Sequence, residues 1–128
     1  PVFTLYNKNA PRWCKQLVLN AIGLLLEEQL LMHDGPTSLL ATVNEQPGER
    51  RWIVHLLHYI PERRSQEIDI IEDVIPLYAL KVSLKVDTSV KAVTCVPEMR
   101  ALPFFREDGR LCFVLRKLEG HQMVEIAF

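Results

Sequence analysis

A mostly apolar run near the middle of the chain extends from Trp52 to Ile60. It is rich in aromatic, β-branched and leucine side chains, and it contains no glycine, proline, aspartate or asparagine. A strand with one wet face would alternate apolar and polar residues, so this run predicts a strand that is buried on both faces. Alternation along the strand places His55 and His58 on opposite faces. Pro61 ends the strand and begins a charged turn.

Short apolar runs separated by turn residues continue from residue 37 to the end of the chain. The predicted strands are 38–45, 51–60, 66–71, 78–86, 90–96, 102–106, 110–116 and 122–128. Asp108-Gly109, between two apolar runs, is a strong signal for a β-hairpin. This spacing predicts a mainly β fold, an antiparallel Greek-key, immunoglobulin-like β-sandwich of seven or eight strands with one N-terminal α-helix.

The first 29 residues follow a different pattern. Pro1 to Tyr6 is a strand candidate, and a helical pattern extends from Pro11 to about Glu28. The apolar arc of this helix is wider than a helix on the surface of a small domain needs. We therefore predict that residues 1–29 are the end of a preceding α/β domain, residues 30–36 a linker and residues 37–128 the sandwich. The alternative is a helix that caps the sandwich.

The domain division makes a prediction about the apolar side of the helix, formed by Trp13, Leu17, Leu24 and Leu25. Another domain of a parent protein, or a second copy of the chain, should cover this side, or it should remain exposed. The chain begins with proline rather than methionine. We therefore expect it to be a piece of a longer protein.

Composition narrows the functional classes. A net charge of -1 and a pI near 6.5 argue against a nucleic-acid or acidic-membrane partner. No run reaches the ~18 apolar residues of a membrane span, and the N-terminus lacks a signal-peptide pattern. Cys14, Cys95 and Cys112 lie far apart without metal-binding spacing. An odd number of such cysteines favours reduced, buried thiols and a cytoplasmic location.

Catalytic and metal-binding patterns are absent from the sequence. His55 and His58 cannot share a metal ion from opposite faces of a strand, and His121 lies in a turn where it should tie the turn to a neighbouring strand. There is no G-x-S-x-G elbow and no phosphate-binding glycine loop. We predict no catalytic residue, no cofactor and no metal. A small stand-alone enzyme that uses His55, His58 or His121 remains an alternative.

Carbohydrate or partner binding is the second alternative, because sandwich domains bind sugars through exposed aromatic rings flanked by polar side chains. The candidate contact residues are Trp52, Tyr59, Arg63, Arg64 and His121. The apolar context of Trp52 and Tyr59 favours core packing instead. Arg63 and Arg64 lie in a charged turn that could equally be solvated or form ion pairs.

Three segments resemble the C-terminal region of large bacterial glycoside hydrolases of the beta-galactosidase and alpha-L-fucosidase-like kind. They are H-L-L-H-Y-I-P-E-R-R at 55–64, V-P-E-M-R-A-L-P-F at 96–104 and E-G-H-Q-M-V-E-I at 119–126. The resemblance implies a catalytic barrel, then an amidotransferase-like trimerisation domain whose end corresponds to residues 1–29, then a terminal β-sandwich. It also implies an accessory module that packs on the catalytic assembly or mediates subunit contacts in an oligomer. Because the family's catalytic residues lie in the barrel, none corresponds to a position in this chain.

Overall fold

The computed structural model describes residues 2–26 and 28–128, which form two helices followed by eleven strands. Helix α1 spans Val2–Asn9 and helix α2 spans Arg12–Leu25. The strands are β1 Leu31–His33, β2 Leu39–Gln46, β3 Arg51–His58, β4 Glu62–Arg63, β5 Asp69–Ile70, β6 Leu77–Leu84, β7 Ala92–Val96, β8 Arg100–Ala101, β9 Phe104–Glu107, β10 Arg110–Leu118 and β11 Gly120–Ala127.

Nine of these strands build two antiparallel sheets. The four-stranded sheet has the order β1-β6-β10-β9, and the five-stranded sheet has the order β2-β3-β11-β7-β8. β4 and β5 form a separate small hairpin. β11 lies between β3 and β7, and the chain reaches it by crossing from the other sheet, as Greek-key connections do. The predicted β-sandwich is confirmed.

The core lies between the inner faces of the two sheets. Val54 and Leu56 of β3 meet Val82 of β6 and Phe113 and Leu115 of β10, and all five side chains are buried. Two apolar faces packed in this way give a sandwich its main stabilisation. The outer face of β3 is less covered than the sequence predicts, because its His55 and Leu57 are only half-buried.

Three local predictions differ from the structure. Val2 to Tyr6 is helical rather than extended, while Pro1 lies outside the described residues. A lone strand would leave its backbone groups unpaired, whereas a helix pairs them internally. Leu31–His33, which was expected in a linker, forms β1 and pairs with β6. The strand predicted at 66–71 is limited to Asp69–Ile70. The division into domains at residues 29 and 37 stays a prediction.

The cysteines and the helices agree with the sequence analysis. Cys14, Cys95 and Cys112 are free and buried. The predicted helix after Pro11 is confirmed as α2. Neither helix of the described residues has the length and apolar character needed to cross a bilayer.

Candidate functional site

His58 points into the sandwich, where its side chain is 2% exposed. Its Nδ1 lies 3.0 Å from the carbonyl oxygen of Ile75, and its Nε2 lies 3.0 Å from the Ser38 hydroxyl oxygen. A carbonyl can only accept a hydrogen bond, so Nδ1 carries a proton and donates it to Ile75, while Nε2 shares a hydrogen bond with the Ser38 hydroxyl. Both nitrogens are therefore occupied, and His58 fastens the segment before β6 onto β3.

His55 points to the outer face of the five-stranded sheet, as the predicted alternation requires. There it meets His121 of β11, with His55 Nδ1 3.2 Å from His121 Nε2. The ring centroids are 5.4 Å apart and the ring planes differ by 5°. Because the nitrogens are much closer than the centroids, the rings meet edge to edge in a hydrogen bond rather than face to face. His121 was predicted to lie in a turn, but it is the second residue of β11, from which its ring reaches the neighbouring strand β3.

The register of β3 and β11 creates this histidine pair. His121 lies opposite Leu57, and His55 lies opposite Met123, so the two histidines are diagonal neighbours on one face. Sequence alternation gives the face of each residue but not the pairing of the two strands. The pair was therefore missed, and no signal in the sequence indicates it.

The surroundings of the histidine pair limit its chemistry. An open groove of about 320 Å³ beside the pair is lined by Leu40, Thr42, Asn44, Leu57 and the two rings. In this contact one imidazole nitrogen donates a hydrogen bond and the other accepts it. Within residues 2–26 and 28–128, no three His, Cys, Asp or Glu side chains are arranged to hold a metal ion.

The aromatic contact candidates lie at opposite ends of β3 and are packed. Trp52 is half-buried and meets the Phe128 ring edge to face, with centroids 5.5 Å apart. Tyr59 is half-buried with its ring against the backbone of Gly120, which has a φ of 69°. A side chain at Gly120 would collide with this ring. Both rings thus have packing partners within the chain, and their role in sugar or partner contact stays a prediction.

The arginine candidates lie on the small β4–β5 hairpin and are neutralised there. Arg63 pairs with Asp69 and donates to the Gln66 carbonyl oxygen at 2.8 Å. Arg64 lies 3.0 Å from Glu62 and also pairs with Glu72. The five predicted contact residues therefore do not converge on one site.

The helices expose an apolar surface that the rest of the described chain does not cover. No residue of α1 is buried, and Cys14 is the one buried residue of α2. Trp13 is 58% exposed, Leu17 52%, Leu24 87% and Leu25 84%. We call these four residues the helical apolar face. Such contiguous exposure is typical of an interaction surface.

The segment after the helices is held to the sandwich by polar contacts. Glu28 pairs with Lys85, and the Lys85 backbone N–H donates to the Leu30 carbonyl oxygen at 2.8 Å. The hydrogen bond and charge of Lys85 lower the pKa of Glu28, and Glu28 raises the pKa of Lys85 in return. These contacts fix residues 28–30 without covering the helical apolar face.

The two buried thiols of the sandwich, Cys95 and Cys112, have little nucleophilic character. Burial is the main cause that raises the pKa values of Cys95 and Cys112. A thiol with a raised pKa carries less of the nucleophilic thiolate form at neutral pH. Neither residue therefore has the character of a catalytic cysteine.

Comparison with known proteins identifies a similar solved structure. No protein-family model and no curated protein matches the sequence. Among solved structures, alpha-L-fucosidase isoenzyme 2 from Paenibacillus thiaminolyticus is similar, with a TM-score of 0.92 and 37% sequence identity. The match covers 99% of this chain and 20% of that chain. This chain is thus similar to a domain-sized part of a larger glycoside hydrolase.

Proposed function

We propose that this chain is a non-catalytic accessory module of a larger glycoside-hydrolase-like protein. The main support is a match that covers 99% of this chain but 20% of the alpha-L-fucosidase chain. A fold shared over the whole module at 37% identity favours a shared place in a multidomain protein. The parent protein would then hydrolyse α-L-fucosides, with its catalytic residues outside this chain. Three buried free thiols support the expected reducing, cytoplasmic compartment.

The helical apolar face is the proposed attachment surface, and its partner is the remainder of the parent protein. Leu24 and Leu25 are more than four-fifths exposed in the chain alone, at 87% and 84%. Burying a leucine side chain contributes about 1.5–3 kcal/mol, so these side chains could supply much of a stable contact. The sandwich, by contrast, has a closed core of its own.

Activity measurements test the non-catalytic role. Hydrolysis of 4-nitrophenyl α-L-fucopyranoside should be measured for the 128-residue chain and for the full product of its gene. We expect hydrolysis by the full product and only the buffer rate with the chain alone. Turnover by the chain alone would refute the non-catalytic role. A gene that encodes no catalytic domain beside this chain would refute the accessory role.

Association measurements test the attachment surface. The chain and the remainder of the parent, made as separate polypeptides, should bind each other. Leu24→Glu and Leu25→Glu should each weaken this binding by roughly tenfold or more, because each places a charge in an apolar contact. Lys15→Glu is the matched control, since the exposed Lys15 lies on the side of α2 opposite Trp13, Leu17 and Leu24. Self-association of the chain in place of binding to the parent would assign the face to a second copy.

A further inference from the structure

A second surface of the molecule has the features of a ligand site, and it lies at the edge of the four-stranded sheet. β9 pairs with β10 only along Arg110 to Phe113, whereas β10 continues to Leu118 beside β6. The segment that crosses from β8 to β9 passes this free part of the β10 edge. An open cavity of about 600 Å³ lies between them, within the ~300–1,000 Å³ range of small-molecule sites.

The walls of this edge cavity combine two cations with apolar side chains. Arg100 and Arg116 contribute guanidinium groups, and Phe105 and Val114 contribute apolar surface that is 45% and 39% exposed. Leu102 and Pro103, from the crossing segment, complete the lining. None of the described wall residues is acidic.

The two arginines differ from most other cations of the sandwich, which have a carboxylate partner. The paired cations are Arg51, Arg63, Arg64, Lys81, Lys85 and Lys117. Within residues 2–26 and 28–128, neither Arg100 nor Arg116 forms an ion pair. The Arg100 guanidinium donates a hydrogen bond to the Cys95 sulfur at 3.4 Å.

Glu98 is the nearby carboxylate that could compete for Arg100, and it is already bonded elsewhere. Its side chain accepts a hydrogen bond from the Gln122 amide at 3.1 Å. This bond is the largest cause of the lowered pKa of Glu98, and the Arg100 charge is a smaller one. Arg100 and Glu98 therefore interact through their charges without forming an ion pair, and within residues 2–26 and 28–128 Arg116 has no ion-pair partner.

We propose that the edge cavity binds an anionic sugar residue, either a uronic acid or a sulfated sugar. Arg100 and Arg116 hold the carboxylate or sulfate through charge-assisted hydrogen bonds, for which the guanidinium fork is suited. The C–H face of the sugar ring packs on the side of Phe105 that Lys81, whose Nζ lies 5.9 Å from the ring centroid, leaves open. The choice of a sugar over another anion rests on the proposed function, since the parent protein would act on glycans.

The test is a ¹H–¹⁵N NMR titration of the full 128-residue chain with D-glucuronic acid, a sulfated L-fucose, neutral L-fucose and a short glutamate peptide. We expect one or both anionic sugars to shift resonances around Phe105 and to bind roughly tenfold or more tightly than L-fucose. The two anionic sugars distinguish a carboxylate site from a sulfate site. Equal binding of L-fucose would overturn the role of charge, and tighter binding of the peptide would overturn the choice of a sugar.

Variants identify the residues responsible. Arg100→Gln and Arg116→Gln should each reduce the affinity roughly tenfold, and Phe105→Ala should reduce it with the charge intact. Arg50→Gln, at an exposed position just before β3, is the matched control and should leave the affinity unchanged. Thermal melting checks that each variant is folded. A loss with Arg50→Gln but not with Arg116→Gln would overturn the assignment.

Failure of this proposal and failure of the proposed function give different results. No saturable shift with either anionic sugar at millimolar concentration, in a chain that still binds its parent, overturns the sugar site alone. Specific sugar binding by a chain that does not bind any parent overturns the attachment surface and supports the site.

Discussion

Replacing His58 should destabilise the sandwich more than replacing Ser38, its side-chain hydrogen-bonding partner. In the His58→Ala variant, the Ser38 hydroxyl and the Ile75 carbonyl lose their partner, and a cavity replaces the buried ring. Each lost bond should cost about 1 kcal/mol, because both partners are close enough to the surface for water to replace part of the bond. The lost packing should add about 1–2 kcal/mol, which gives roughly 3–4 kcal/mol in total.

Two further variants divide this cost between the two ring nitrogens. Ser38→Ala removes only the Nε2 contact and should cost about 1 kcal/mol. His58→Asn places an amide N–H near the former Nδ1 position, so it should keep the bond to Ile75 and cost less than His58→Ala. A double-mutant cycle between Ser38→Ala and His58→Ala should give a coupling energy of about 0.5–1.5 kcal/mol.

Urea unfolding followed by tryptophan fluorescence measures these differences. Trp52 lies in β3 and packs against Phe128, so its emission reports on the sandwich. With an m-value near 2 kcal/mol/M, about 3–4 kcal/mol corresponds to a midpoint shift of about 1.5–2 M urea. A shift below about 0.5 M for His58→Ala, or equal shifts for His58→Ala and Ser38→Ala, would refute the reasoning.

The remaining predictions concern two turns, the thiols and the helices. Gly120→Ala should lower the free energy of unfolding in urea more than Gly109→Ala. Both glycines have a positive φ, which costs alanine about 1–2 kcal/mol, but only a side chain at Gly120 would also collide with the Tyr59 ring. Equal costs would contradict this. Cys95 and Cys112 should react with a disulfide reagent near neutral pH far more slowly in the folded than in the unfolded chain, and faster as the pH rises, because burial raises both pKa values. Fast labelling under native conditions would contradict the burial. A variant limited to residues 28–128 should keep the urea midpoint of the full chain, since the helices bury only one of their own residues; a clear drop would mean that they support the sandwich.

The accuracy of the sequence-based predictions depended on how local the determining interactions are. Asp108-Gly109 predicted a hairpin, and the structure has φ values of 49° and 76° there, as a tight two-residue hairpin turn requires. The alternation in β3 correctly placed His55 and His58 on opposite faces. The segment Val2 to Tyr6 was predicted wrongly, because an apolar run of that length fits a strand or a helix equally well.

Interactions between distant segments could not be predicted. β1 forms because Leu31 pairs with Leu84 of β6, which lies 53 positions further along the chain. The histidine pair depends in the same way on the register of β3 against β11. The edge cavity exists because β9 stops pairing at Phe104 while β10 continues. Each feature is set by which strands meet and where their pairing ends, and a single sequence does not specify that.

The sandwich and the helices differ in how much of their own apolar surface they bury, and this difference indicates where a partner should bind. The sandwich buries Phe113, Leu115 and Ile126 completely between its sheets, so its stability needs no partner. Helix α2 has a larger share of leucine than the sandwich but buries only Cys14. A 14-residue helix is marginal in water by itself, and most helical stability in proteins comes from packing of an apolar face. The helices therefore need a covering surface that residues 28–128 do not supply, and the attachment proposed above provides one while leaving the edge cavity on the sandwich free for a ligand.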